Sequence, residues 1–150
     1  MNSVAIALHA IAASVWVGGM FFVLVVFRPA VQTLEPDSRA GMMSVTLGKF
    51  FPWVWMAIIV LMLTGYWLVG AFGGFGSVPS YVHIMHLLGW IMVALFAFMY
   101  FKPNKAFQQA LSQGDKEQAM SALGSVRTIV TINFILGLVI VAIVTGGRYL

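Results

Sequence analysis

The chain contains three histidines, and each stands just inside an apolar run. His9 opens the first such run; His83 and His86 open a later one, in the stretch YVHIMHLLGW. Ionisable side chains at membrane depth are rare and are functional candidates by default. Two neutral imidazoles from facing helices make an axial pair for haem iron. Ten methionines, among them Met20, Met42, Met43, Met56, Met62, Met85, Met92 and Met99, offer a second chemistry. Thioether and imidazole together suit copper, Cu(I) above all. Met85, Met92 and Met99 recur by heptads, which reads either as a copper ladder or as ordinary helix packing.

These residues must be positioned by elements that live in lipid. Of the 150 residues, 61% are hydrophobic and 8% charged. A soluble domain carries roughly 25% charged residues, so this chain cannot coat a globule and is an integral membrane protein. A crossing needs about 20 apolar residues. Four stretches qualify: roughly Val4 to Phe27, Phe51 to Phe72, Pro79 to Phe101, and Val126 to Thr145. The expected fold is all-α, a single transmembrane domain built as a four-helix bundle. The first run lacks a basic n-region and a small-residue cleavage site, so it reads as a retained helix. Pro52 is expected in the first turn of helix 2, and Gly73-Gly74 and Gly146-Gly147 are expected to end helices 2 and 4.

Between helices 1 and 2, Asp37 or Ser38 could cap a short helix lying along the membrane surface. Between helices 3 and 4, Ala106, Phe107, Ala110 and Leu111 keep helical spacing, which predicts that both helices extend beyond the bilayer. No convincing internal repeat stands out, although a two-plus-two arrangement remains open. Arg28, Arg39, Lys49, Lys102, Lys105, Lys116 and Arg127 flank two connections, against Arg148 alone on the other side. The positive-inside rule then puts both termini and the 2–3 connection on the periplasmic side of a bacterial inner membrane.

That topology brings the histidines to one depth. His9 lies roughly 9 Å into helix 1, and His83 and His86 roughly 6 to 11 Å into helix 3, at 1.5 Å per residue. His83 and His86, three apart, share one side of their helix. Arg148 lies on the same rim, where it could pair with a haem propionate or simply anchor the interface. Trp16, two turns beyond His9, could pack on a macrocycle or, with Trp53, Trp55, Trp67 and Tyr81, belong to the aromatic belt. Ala12, Ala13, Ser14, Gly18 and Gly19 point to a close helix contact, and a homodimer is open on that basis. Asn133, inside helix 4, needs a partner across helices or on a cofactor. With no cysteine, disulfides, thiolate metal sites, iron–sulfur clusters and covalent haem are excluded. The net charge of +4 forms no patch, which argues against nucleic acid. Hydride, phosphoryl and acyl chemistry have no support: there is no phosphate-binding Gly loop on a strand and no Cys nucleophile, and every carboxylate (Glu35, Asp37, Asp115, Glu117) lies in a connection.

The stretches LHAIAASVWVGGMFF…FRP, YVHIM and IN…LGL…GGRYL together resemble the copper-resistance protein D (CopD-like) superfamily, over nearly the whole chain and closest to its four-helix branch. His9, Trp16, Gly18, Gly19 and Arg28 carry the most specific part. The same pattern is similar to the four-helix membrane protoporphyrinogen oxidases, which bind b-type haem and place a histidine where His83 stands. That likeness implies His9 and His83 as a haem pair, with His86 as neighbour or alternative ligand. Those oxidases carry a lysine where this chain has Met85, and an Asn-Glu pair where it has Asn133-Phe134. Protoporphyrinogen oxidase activity is therefore not expected. The superfamily's name implies copper uptake or tolerance in some members. The expectation is a small haem b protein, open to a membrane oxidoreductase role with quinone or another redox protein as partner. The alternatives are a copper-handling protein using His and Met, and a cofactor-free assembly subunit.

Overall fold

In lipid a backbone must satisfy its own hydrogen bonds, so apolar stretches this long become helices. The computed structural model describes residues 1–147. It contains four rods: α1 Asn2–Val31, α2 Pro36–Ala71, α3 Ser80–Ser112 and α4 Lys116–Gly146. Each is long and apolar enough to cross a membrane. At 1.5 Å per residue they are about 45 to 54 Å long, against a hydrocarbon core of about 30 Å, so their ends project. Exposed Ile11, Leu63 and Ile135 form part of an apolar outer surface suited to lipid.

Local chemistry sets the ends. Pro36 opens α2 with Asp37 in its first turn. Asp115 caps α4 by accepting the Gln118 backbone N–H at 3.0 Å. Gly73 and Gly74 at φ +93 and +87 follow α2, and Gly114 at φ +73 follows α3. The separate surface helix expected near residues 37–49 is instead the first part of α2. No proline stands between Asp37 and Phe51, and the helix runs through Gly41 and Gly48, so the polar segment joins the apolar one. Pro52 consequently sits deep inside α2 rather than in a first turn. Having no N–H, it leaves the Gly48 carbonyl without a helical donor.

Two π-helical turns interrupt α1 and α3, at Phe22–Phe27 and Tyr100–Asn104. Both accompany a basic residue followed by proline, Arg28-Pro29 and Lys102-Pro103. Proline removes an N–H and its ring presses on the carbonyl four residues back. A wider turn relieves that pressure, and the Arg28 N–H bonds the Val23 carbonyl five residues behind. The paired interruptions expose a repeat that scattered matches conceal. Residues 74 positions apart agree at His9/His83, Trp16/Trp90, Phe27/Phe101 and Pro29/Pro103, with Arg28 matched by Lys102. The fold follows the repeat: α1 packs chiefly on α2, and α3 chiefly on α4.

Within the first hairpin, Gly19 lies directly under the Phe50 ring. The two hairpins join through a small residue and an aromatic column: a Cβ at Gly137 on α4 would come within 2.8 Å of Val17 on α1. Phe96 on α3 meets Phe51 at 5.6 Å and Trp55 at 5.2 Å, both from α2, and Trp16 from α1 at 6.1 Å, all edge-to-face. Fully buried Asn133 donates its Nδ2–H to the Met92 carbonyl at 3.1 Å, tying α4 to α3.

Candidate functional site

The three histidines stand at one end of the bundle, where α1 and α3 begin. His9 turns toward α2. Its Nδ1 lies 2.8 Å from the Thr64 hydroxyl, and its ring sits over Gly65, where a Cβ would be 3.3 Å from Cε1. Thr64 is buried, and its hydroxyl donates to the Val60 carbonyl at 2.6 Å. A hydroxyl has one proton to give, so toward His9 the oxygen accepts. With the Thr64 proton on the Val60 carbonyl, Nδ1 of His9 is the donor and Nε2 keeps its lone pair. An oxygen behind the ring that fixes the tautomer in this way is what metal-binding histidines ordinarily have.

His83 and His86 belong to a separate cluster. Phe75, from the α2–α3 connection, lies beside both rings, with centroids 5.0 Å from His86 and 5.9 Å from His83. The Trp90 Nε1–H donates to the Tyr66 hydroxyl at 3.3 Å, and that hydroxyl stands at a long 3.5 Å from His86 Nε2. His83 is exposed and Met85, between the two, is half-buried.

Thr64 and Tyr66 are two residues apart on α2, about 200° around a helix. His9 and His86 thus approach α2 from opposite sides. Among the described residues no hydrogen bond joins His9 to either of the other two, and no group of three or more His, Cys, Asp or Glu is placed to hold a metal. Trp16 lies in the core against Phe96 rather than at an interface, because α1 turns that face inward. Trp53 and Trp67 are exposed, as belt residues would be. Met92 and Met99 are buried packing residues. Arg148 lies outside the described residues.

Thr64, Tyr66, Phe75 and Trp90 were not singled out from the sequence. One signal was available: Thr-Gly occurs near the end of both even-numbered helices, at Thr64-Gly65 and Thr145-Gly146. Thr145 repeats the hydroxyl geometry of Thr64, donating to the Val141 carbonyl at 2.7 Å. The end of α4 lies beside the start of α3, since a Cβ at Gly147 would be 3.3 Å from Tyr81. Each hairpin therefore carries a histidine early in its first helix and a Thr-Gly late in its second.

The family model for copper resistance protein D matches residues 44–146, more than half of the chain, and the chain belongs to that family. The match takes in α2 beyond its first turns, the Phe75 connection, α3 with His83 and His86, and all of α4. No curated protein and no solved structure matches the chain. The protein is a multi-pass membrane protein of a copper-resistance family.

Proposed function

We propose that this protein handles copper as cargo at the histidine end of its bundle, taking the ion on the His83–His86 pair beside Phe75. The observation that carries the reading is that pair: two imidazoles three residues apart, both beside one aromatic ring, within the stretch matched by the copper family. Neutral imidazole is a good ligand for copper, and the Met85 thioether lies two residues from His83 and one from His86. Exposed His83 offers the first contact from outside, and half-buried His86 lies deeper. His9, with Nε2 left free by Thr64, is a further nitrogen in the same layer. Seven basic residues against one favour a bacterial inner membrane with this end in the periplasm, the whole chain forming one domain. The test is a Cu(I) competition titration of detergent-purified protein. One copper per chain is expected, with affinity at least about 10-fold lower in His83→Ala and His86→Ala, as for lost metal-site groups. Unchanged affinity in both variants would refute the site.

A haem b reading has one observation in its favour, the fixed tautomer of His9, which suits an axial ligand. The rest of the packing fits the group poorly. His9 is held against Thr64 and Gly65 through Nδ1 and Cε1, and Trp16 is buried against Phe96 in the core. No redox step or quinone partner is drawn from it. An absorption spectrum of the same sample, oxidised and dithionite-reduced, separates the readings: a sharp reduced α-band would favour haem. A sample that is colourless and binds no copper would favour an assembly subunit.

A further inference from the structure

At the opposite end of the bundle, three arginines from three helices surround one cavity of about 120 Å³. Arg28 comes from α1, Arg39 from α2 and Arg127 from α4. Its walls include Val23, Leu47 and Val130, all buried. No carboxylate lines it. Among the described residues the one ion pair, Lys116 with Asp37 at 2.8 Å, lies elsewhere, and the side chains of Arg28 and Arg127 make no hydrogen bond.

Arg39 is partly spent. One terminal nitrogen donates to the carbonyls of Gln32 and Leu34, at 2.9 and 3.2 Å, which fixes the guanidinium across the turn after α1. Its Nε is buried without a partner. A buried N–H of a cation left unpaired is costly, and an anionic oxygen is the partner that would relieve it. The π-helical turn Phe22–Phe27 supplies Val23 to the wall and directly precedes Arg28. Such turns often mark functional sites, because they break the regular helix face.

We propose that this cavity seats the phosphate headgroup of an anionic membrane lipid. Three guanidiniums supply charge and fork-shaped donors for phosphate oxygens. Arg28 closes the first apolar run and Arg127 stands at the start of the last, which puts the cavity at the boundary between apolar and polar segments, the level of lipid headgroups. Basic pockets of this kind between transmembrane helices hold lipid headgroups. The site is independent of the copper reading, being at the other end of the bundle.

The test is native mass spectrometry of the detergent-purified full chain, with phosphatidylglycerol and phosphatidylcholine offered together. Preferential retention of phosphatidylglycerol is expected. Arg28→Gln and Arg127→Gln, which break no observed bond, should each lower it about fivefold. Lys49→Gln and Lys105→Gln, outside the cavity, should leave it unchanged. Equal retention of both lipids, or indifference to the two arginine substitutions, would overturn the proposal. Displacement by millimolar inorganic phosphate would also overturn it, by assigning the pocket to a soluble anion.

Discussion

Replacing Thr64 by valine keeps the shape of a buried side chain and deletes one oxygen, the one that receives the His9 Nδ1–H at 2.8 Å. The Val60 carbonyl also loses a donor, but it keeps its ordinary helical bond from the residue 64 backbone N–H. The group that loses its hydroxyl partner is therefore on His9, with only the Leu61 backbone left beside the ring. Side-chain hydrogen bonds between membrane helices are worth about 0.6 kcal/mol on average and about 1.7 at most. A donor left unpaired costs about 1 to 3 kcal/mol where water cannot reach it. His9 is partly buried, so a loss of about 1 to 1.5 kcal/mol is expected for Thr64→Val, and much less for Thr64→Ser, which keeps the hydroxyl. The assay is reversible unfolding in mixed micelles, run as a double-mutant cycle with His9→Ala. A coupling of about 0.6 kcal/mol or more is expected. Nitrogen NMR of the His9 ring should show a protonated Nδ1 and a bare Nε2, becoming a mixture of tautomers in Thr64→Val. A coupling under about 0.3 kcal/mol, or a wild-type ring protonated on Nε2, would refute the tautomer argument.

Gly65→Ala sets a methyl 3.3 Å from His9 Cε1 and should destabilise the α1–α2 contact by about 1 kcal/mol or more, whereas Gly18→Ala meets nothing within 4 Å and should be neutral or stabilising in the same unfolding assay. Asn133→Ala removes the bond to the Met92 carbonyl and should cost about 0.6 to 1.7 kcal/mol, read by unfolding of the full chain. Phe75→Ala removes the ring beside His83 and His86 and should speed copper exchange with a chelator, measured by stopped flow, while leaving fold stability nearly unchanged because Phe75 is exposed. Lys116→Ala breaks an ion pair whose side chains are 74% and 71% exposed, and a stability change above about 1 kcal/mol would contradict that reading.

Much of the architecture follows from composition. Sixty-one per cent apolar residues in four long runs dictate crossings, and helices must form them because lipid offers no hydrogen bonds. The placement of His9, His83 and His86 near one end follows from counting residues into each run. Helix rotation does not follow. Each rod is apolar nearly all round, so periodicity leaves no mark of the face that packs and the face that meets lipid. Trp16 could thus be taken for a cofactor contact or a belt residue, whereas packing puts it against Phe96. Thr64 was silent for the same reason: a threonine in an apolar run declares no partner until α1 is laid beside it.

Arg28, Arg39 and Arg127 show the division most plainly. Counted along the chain they are orientation signals, and that count depends on composition alone. They stand on three different helices, so only the packing of α1, α2 and α4 gathers them round one cavity. The sequence by itself determined the solvent, the number of crossings and the chemical kinds of side chain available at each end. The tertiary structure decided which of those side chains meet, because contact between helices depends on their rotation and close approach, and in apolar rods those are set by how small and aromatic side chains interlock.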